Sequence, residues 1–246
     1  MSKRERLDKL LVDRGTVASR ERARRLIMAG TVRVDDRVVD KPGTLVSTAA
    51  PITVTGDDIP YVSRGGVKLA HALDVFATPV AGRVVLDVGA STGGFTDCVL
   101  QRGAASVVAV DVGYGQFAWS LRQDPRVTLL ERTNVRRLGA AALPARPHLA
   151  VIDVSFISLR LVLPGVAAAV LPGGDIVALV KPQFEVGKGK VGSGGVVRDP
   201  SLHAAAVTSV RGAAVELGLD VIGECESPLI GPKGNREFFL AMRKAE

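Results

Sequence analysis

Apolar residues near the start of the chain repeat at helical spacing in two short segments. Leu7, Leu10 and Leu11 share one helical face, and Gly15 favours an end to the first helix there. The second segment, residues 19–30, begins with a favourable N-cap serine and ends at a glycine. The segments TVRV, RVV and PITVTG then predict short strands. This part of the sequence therefore predicts a small α+β unit.

Further along the chain the pattern changes to buried strands that alternate with helices. The runs VVLDV, SVVAVDV, HLAVIDV and DIVALV are continuous and rich in β-branched residues, as is typical of strands buried on both faces. Asp199 and Pro200 predict the start of a helix that Gly218 ends, and two more strands are expected at 219–226 and 236–243. This order predicts an α/β, Rossmann-like domain with a mostly parallel sheet.

A polar, glycine-containing stretch, GDDIPYVSRGG, separates the two patterns, as expected of a domain boundary. We therefore predict a small N-terminal domain at 1–58, an interdomain linker at 59–63 and an α/β domain at 64–246. With 246 residues, 47% of them hydrophobic, the chain is long enough to bury both cores.

Positive charge is concentrated at the N-terminal end. The chain has a net charge of +7, and residues 1–42 hold twelve Lys or Arg against seven Asp or Glu. Four arginines lie on the second predicted helix, where Glu21 is the only acidic residue among them. A solvated charged face is the alternative interpretation, but a basic surface with so few acids favours binding to a polyanion.

The segment RLDKLLVDRGTVASRERARRLIMAGTVRVDDRVVDKPG resembles the small RNA-binding domain named after a primary-binding protein of the small ribosomal subunit. The resemblance covers about 50 residues, and it implies binding to structured RNA through the arginine helix and the adjoining loop. A later glycine-rich loop, VGKGKVGSGGVVRD, is interpreted either as a mobile lid that touches RNA or as a plain flexible loop. The predicted RNA-binding residues are Arg4, Arg6, Arg20, Arg22, Arg24, Arg25, Arg64, Lys188 and Lys190.

A glycine turn follows the first strand of the α/β domain, in the segment LDVGASTGGFTD. Because position 91 is Ser, the dinucleotide fingerprint G-x-G-x-x-G is not met, and the turn favours S-adenosylmethionine over NAD. Asp111 ends the next strand, where a carboxylate binds ribose hydroxyls, and Asn134 follows a third segment, where an amide can bind adenine. Ordinary turn formation is the alternative for each. The predicted cofactor residues are Asp87, Gly89, Ser91, Thr92, Gly93, Gly94, Phe95, Asp111 and Asn134.

Four charged residues are candidates for catalysis: Lys68, Asp153, Lys181 and Glu237. Asp153 and Lys181 each end an apolar run, which predicts that they lie at the carboxyl ends of buried strands beside the cofactor. Each residue alone could belong to a structural ion pair. The order Lys-Asp-Lys-Glu across one domain favours a shared site.

Several motifs together resemble one family. The segments RGGVKL, DVGASTGGFTD, DVSFISL, KPQFE and NREFF are similar to the TlyA (hemolysin A-like) branch of the FtsJ-type ribosomal RNA 2'-O-methyltransferases, over nearly the whole chain. The resemblance implies a class I methyltransferase domain, S-adenosylmethionine as cofactor, and the four candidates as a catalytic tetrad. It also implies that the acceptor is a ribose, in a cytidine of ribosomal RNA in the large subunit, the small subunit or both.

A ribose 2'-hydroxyl is a poor nucleophile, so methyl transfer requires in-line positioning and removal of a proton. Our hypothesis is that burial and the like charge of Lys68 favour the neutral form of Lys181, which then accepts the hydroxyl proton. Asp153 and Glu237 oppose this effect, so we expect them to orient the lysines and the hydroxyl.

Two other functions are weighed against the enzyme: a non-catalytic RNA-binding protein of ribosome assembly, and a membrane-lytic hemolysin. No secretory signal or spanning segment is recognised in the sequence, which disfavours the second and predicts a cytoplasmic protein with no membrane partner. Cys98, Cys225 and the three scattered histidines match no metal-ligand spacing, so no metal is expected. We expect a monomer that binds assembled 30S or 50S subunits.

Overall fold

The computed structural model describes residues 4–17, 19–28, 30–54, 59–137, 143–231 and 233–246, without the side chains of Arg137 and Lys188. The chain divides into two compact units, Met1–Ser63 and Arg64–Glu246. The finer assignment of a linker at 59–63 stays a prediction.

The N-terminal unit packs two helices against short strands. Leu7, Leu11 and Ile27 are fully buried between them. The Oγ of Ser19 accepts a hydrogen bond from the backbone N of Arg22 at 3.2 Å, as expected of an N-cap. The elements are β1 (Arg4–Arg6), α1 (Leu7–Asp13), α2 (Arg20–Met28), β2 (Val32–Val34), β3 (Arg37–Val38), β4 (Leu45–Ser47) and β5 (Ile52–Val54).

The sequence patterns missed one strand pair of this unit. β1 pairs antiparallel with β4, while β2 pairs with β3 and β5. β1 consists of Arg-Glu-Arg. Because all three side chains are charged, the strand has no alternation of apolar and polar residues that would predict it. Between β2 and β3, Asp35 and Asp36 have φ angles of 49° and 61°, the left-handed conformation that a tight hairpin requires.

The C-terminal unit contains, within the described residues, one seven-stranded sheet in the order β8-β7-β6-β9-β10-β12-β11. The five strands from β8 to β10 are parallel, and β12 runs antiparallel to both of its neighbours. The predicted class I methyltransferase fold with a mostly parallel sheet is confirmed. The strands are β6 (Val84–Val88), β7 (Ser106–Val110), β8 (Val127–Leu130), β9 (Leu149–Ile152), β10 (Asp175–Val180), β11 (Leu219–Glu226) and β12 (Phe238–Lys244).

Helices flank this sheet, so its central strands are buried along their whole length. All four residues of β9 and all six of β10 are buried, which explains their continuous apolar runs. The helices are α3 (Arg64–Val75), α4 (Gly94–Gln101), α5 (Trp119–Arg122), α6 (Leu163–Ala169), α7 (Pro182–Glu185) and α8 (Pro200–Glu216). None of the helices among the described residues has both the length and the apolar character needed to cross a membrane.

The predicted signals for α8 are confirmed in detail. Asp199 is its N-cap, with Oδ1 accepting a hydrogen bond from the backbone N of Ser201 at 2.8 Å, and Pro200 is its first residue. Gly218 follows the helix with a φ of +72°. The order of the parallel strands sets the carboxyl ends of β6, β7, β9 and β10 along one edge of the sheet, where ligands of open α/β folds bind.

Candidate active site

Glycine at position 89 lets the turn after β6 approach β9 closely. Gly89 has a φ of +85°, and a Cβ atom there would lie 2.5 Å from the backbone oxygen of Asp153. Gly93 has a φ of +92°, and its Cβ would lie 2.5 Å from Leu121 Cδ1. Both positions have a left-handed backbone, which favours glycine, and at Gly89 the neighbouring backbone also leaves no room for a Cβ atom.

Asp111 is fixed between two loops. Its Oδ2 accepts a hydrogen bond from the backbone N of Ser91 at 2.7 Å, and its Oδ1 accepts one from the backbone N of Gly113 at 2.6 Å. The carboxylate thus ties the glycine turn after β6 to the loop after β7. A ligand at this edge meets a carboxylate whose orientation is already set.

Asp87 lies beneath this turn and is fully buried. Thr96 Oγ1 donates a hydrogen bond to Oδ2 at 2.6 Å, whereas Oδ1 is buried with no hydrogen-bond partner among the described residues. The pKa of this carboxyl is raised to about 7. Burial is the main cause, the hydrogen bond from Thr96 acts in the opposite direction, and the charge of Asp153 adds to the increase.

A cavity of about 500 Å³ opens at the carboxyl ends of the strands. This volume lies within the range of ordinary small-molecule sites, roughly 300–1,000 Å³. Four predicted cofactor residues line it, together with residues that the patterns did not identify. The lining is Val88, Gly89, Ser91, Val110, Asp111, Val112, Gly113, Gln116, Thr133, Asn134, Val135, Asp153, Val154, Ser155, Phe156, Ile157 and Val162.

The remaining predicted cofactor residues, Asp87, Thr92, Gly93, Gly94 and Phe95, lie outside this lining. Phe95 is buried, and its ring packs on that of Phe239 with centroids 6.3 Å apart. These residues belong to the glycine turn after β6 and to the buried residues that pack next to it. Asn134 does line the cavity, and its Oδ1 accepts a hydrogen bond from the backbone N of Arg136 at 3.0 Å.

The four candidate catalytic residues form two ion pairs. Lys68 Nζ on α3 lies 2.5 Å from Glu237 Oε2, just before β12, and the two residues are only 7% and 2% exposed. Lys181 Nζ, after β10, lies 2.5 Å from Asp153 Oδ1, after β9. The second pair borders the cavity through Asp153. Each lysine therefore has a carboxylate partner.

Asp8 is a buried acid that the sequence patterns missed in the N-terminal unit. Its carboxylate pairs with Arg6 Nε and with an Nη of Arg20, each at 3.0 Å. The hydrogen bond from Arg6, followed by that from Arg20, holds its pKa at about 2 although burial acts in the opposite direction. Asp8 thus organises two of the predicted RNA-binding arginines. No pattern in the sequence distinguishes Asp8 from the neighbouring acids Glu5 and Asp13.

The other predicted RNA-binding residues differ in their contacts. Arg4 donates to the backbone oxygen of Leu45 at 3.0 Å, and Arg64 donates to that of Ile230 at 2.9 Å. Arg24 and Lys190 are exposed, whereas Arg22 and Arg25 are half-buried. The side chain of Lys188 lies outside the described part of the chain.

The second half of the glycine-rich loop is held by buried side chains. Asn235 Oδ1 accepts a hydrogen bond from the backbone N of Val197, and its Nδ2 donates to the backbone oxygen of Gly195, both at 2.9 Å. His203 Nε2 lies 2.8 Å from the oxygen of Val197. These hydrogen bonds tie residues 195–197 to Asn235 and His203, and the choice between a mobile lid and a plain flexible loop stays a prediction.

Comparison with known proteins identifies the family. A family model described as FtsJ-like methyltransferase matches residues 61–244. The chain belongs to the FtsJ-like methyltransferase family. A second model, the S4 domain, matches residues 5–51 of this FtsJ-like methyltransferase.

Relatives of this FtsJ-like methyltransferase cover nearly the whole chain. The 16S/23S rRNA (cytidine-2'-O)-methyltransferase TlyA of Mycobacterium tuberculosis is 55% identical over 99% of the chain and 91% of that protein. Hemolysin A of Brachyspira hyodysenteriae is 36% identical over 95% of the chain and 97% of that protein. A solved structure from Streptococcus thermophilus, provisionally named a hemolysin, matches with a TM-score of 0.79 at 43% identity, over all of this chain and 90% of the other.

Proposed function

We propose that this protein transfers a methyl group from S-adenosylmethionine to the 2'-hydroxyl of a cytidine in ribosomal RNA of the large subunit, the small subunit or both. The observation that carries the proposal is the Lys181–Asp153 pair at the border of the cavity. It joins a candidate base to a candidate donor site at the carboxyl ends of parallel strands. The M. tuberculosis relative is named as a cytidine-2'-O-methyltransferase of 16S and 23S rRNA, which supports the same reaction.

The cavity fits S-adenosylmethionine in size and in the chemistry of its lining. The carboxylate of Asp111 would accept hydrogen bonds from the ribose hydroxyls, and Asn134 would bind the edge of the adenine. The left-handed turn at Gly89 leaves room for close approach of the ligand to the backbone. When bound, the donor supplies an electrophilic methyl group on a sulfonium.

Lys181 is the proposed base for the 2'-hydroxyl. Removal of that proton in the transition state makes the oxygen a competent nucleophile and accounts for roughly 10²–10⁴-fold in rate for a positioned base. Asp153 orients the amine through the 2.5 Å contact. Lys181 has to be in its neutral form to accept the proton, since a charged ammonium has no lone pair.

The Lys68–Glu237 pair is the proposed support for substrate orientation. A buried ion pair holds its geometry because loss of either partner leaves an uncompensated charge in a site poor in water. We infer that its remaining donors hold the acceptor ribose in line for transfer. The N-terminal S4 domain would supply RNA affinity through exposed arginines such as Arg24.

Transfer of labelled methyl from S-adenosylmethionine to purified 30S and 50S subunits tests this proposal. We expect label in at least one subunit, and mapping by mass spectrometry should locate the methyl group on the ribose of a cytidine. Label on a base would contradict the proposed acceptor. Binding to subunits without any transfer would favour the non-catalytic ribosome-assembly protein.

A further inference from the structure

Ser155 is a residue of the cavity wall that the sequence patterns did not single out. It lies in the loop after β9, two positions beyond Asp153. Its Oγ accepts a hydrogen bond from Lys181 Nζ at 2.9 Å. The same Nζ lies 2.5 Å from Asp153 Oδ1. The contact with Asp153 is a charge contact outside hydrogen-bond geometry, so Ser155 is the hydrogen-bond acceptor of Lys181 Nζ among the described residues.

The hydrogen bond to Ser155 matters because of the geometry of a neutral amine. A charged lysine has three N–H donors, whereas the neutral form has two N–H donors and one lone pair. When Ser155 accepts one N–H, rotation about the Cε–Nζ bond is restricted and the lone pair is limited to the two remaining tetrahedral directions. The charge contact with Asp153 sets no such direction by itself, because it lies outside hydrogen-bond geometry.

We propose that Ser155 is a positioning residue that aims the lone pair of Lys181 at the substrate hydroxyl. The inference rests on the proposed function, in which Lys181 removes the 2'-hydroxyl proton. Ser155 acts through Lys181, so its removal should slow the proton transfer and leave the donor site intact.

The loop that carries Ser155 is anchored independently of Lys181. Glu185 Oε2 accepts a hydrogen bond from Ser158 Oγ at 2.5 Å, and its Oε1 accepts one from the backbone N of Leu159 at 2.8 Å. The rings of Phe156 and Phe184 pack with centroids 5.1 Å apart. Loss of one exposed hydroxyl at Ser155 therefore removes a contact to Lys181 without releasing the loop.

The test compares Ser155→Ala with Ser155→Thr, which keeps the hydroxyl. Ser209→Ala, on α8 and outside the cavity lining, is the matched control. Single-turnover methyl transfer to ribosomal subunits is measured at saturating S-adenosylmethionine across pH, beside donor affinity by calorimetry and the melting midpoint. We expect Ser155→Ala to be slower by about tenfold or more at every pH, with unchanged donor affinity and melting. Ser155→Thr should recover most of the rate, and Ser209→Ala should match the wild type.

Several results would overturn the inference. Equal rates for Ser155→Ala and wild type, or equal losses of rate in the Ala and Thr variants, would show that the hydroxyl of residue 155 does not position Lys181. If the rate of the Ala variant recovered fully at high pH, Ser155 would change the proton affinity of Lys181 and not the direction of its lone pair. A joint fall in melting midpoint and donor affinity would make its role structural. No transfer by the wild type would overturn the proposed function too, whereas Lys181-dependent transfer that is indifferent to Ser155→Ala would overturn this inference alone.

Discussion

At the scale of single residues, the candidate site depends on carboxylates in contrasting surroundings. Asp111 is held by two backbone amides, Asp153 faces a lysine, and Asp87 is buried with one oxygen lacking a partner among the described residues. Burial disfavours the charged form unless a partner compensates it. The burial of Asp87 raises the pKa of its carboxyl to about 7.

Replacement of Asp87 by Asn should change how stability depends on pH. The folded pKa of about 7 exceeds the ordinary 3.8, so the folded chain binds this proton more tightly than the unfolded chain. The resulting stabilisation is complete below pH of about 4 and is lost as the pH rises through about 7. We therefore expect Asp87→Asn to gain stability relative to wild type across that window. Urea unfolding measured along the pH series checks this, and a difference that does not vary with pH would contradict it.

At the scale of elements, Glu185 joins α7 to the loop that forms one wall of the cavity. α7 starts directly after Lys181, and the loop begins at Asp153. The contacts of Glu185 with Ser158 and Leu159 therefore hold the segments that carry Lys181 and Asp153 next to each other. Glu185 belongs to KPQFE and Ser158 to DVSFISL. The sequence carried both motifs, but their contact depends on the adjacency of β9 and β10.

Glu185→Gln should weaken this connection. Ser158 and Leu159 both donate hydrogen bonds to the carboxylate, and Arg160 Nε lies 4.0 Å from its Oε2. A glutamine offers one acceptor oxygen while its amide faces the other donor, and it carries no charge for Arg160. We expect the free energy of unfolding to fall by about 1.5–3 kcal/mol. Ser158→Ala and the double variant complete a thermodynamic cycle by urea denaturation. The double variant should lose less than the sum of the single losses, and strict additivity would count against the contact.

The sequence predicted long, periodic elements better than short or non-local ones. The buried runs of β9 and β10 and the capped helix α8 were predicted correctly because their signals are local. The pairing of β1 with β4 was missed, since each strand has three residues and their partners are about 40 positions apart. The pairing of each candidate lysine with a carboxylate likewise depends on tertiary structure. The roles of the site residues stay predictions.

At the scale of the whole molecule, the chain combines a basic unit with a unit that contains the candidate site. The net charge of +7 and the arginines of α2 suit a polyanionic partner. Contacts with phosphates release counterions, so RNA affinity should fall as salt rises.

Two opposite charge changes on α2 test this electrostatic role. Arg24 and Glu21 are both exposed on the helix. We expect Arg24→Gln to weaken subunit binding and reduce the slope of log affinity against log salt by about one, while Glu21→Arg increases the slope. Filter binding over a salt series measures both, and donor affinity should remain that of the wild type. Equal behaviour of the two variants would refute a phosphate-binding role for this helix.

The most direct test of the proposed chemistry is single-turnover methyl transfer by Lys181→Arg, followed on ribosomal subunits beside donor binding. Arginine keeps the positive charge and the N–H donors, but it does not give up a proton in a protein. We predict that transfer to the cytidine ribose falls by at least about 10²-fold while affinity for S-adenosylmethionine is retained. Transfer by the Arg variant at close to the wild-type rate would contradict Lys181 as the base and, with it, the mechanism proposed for this site.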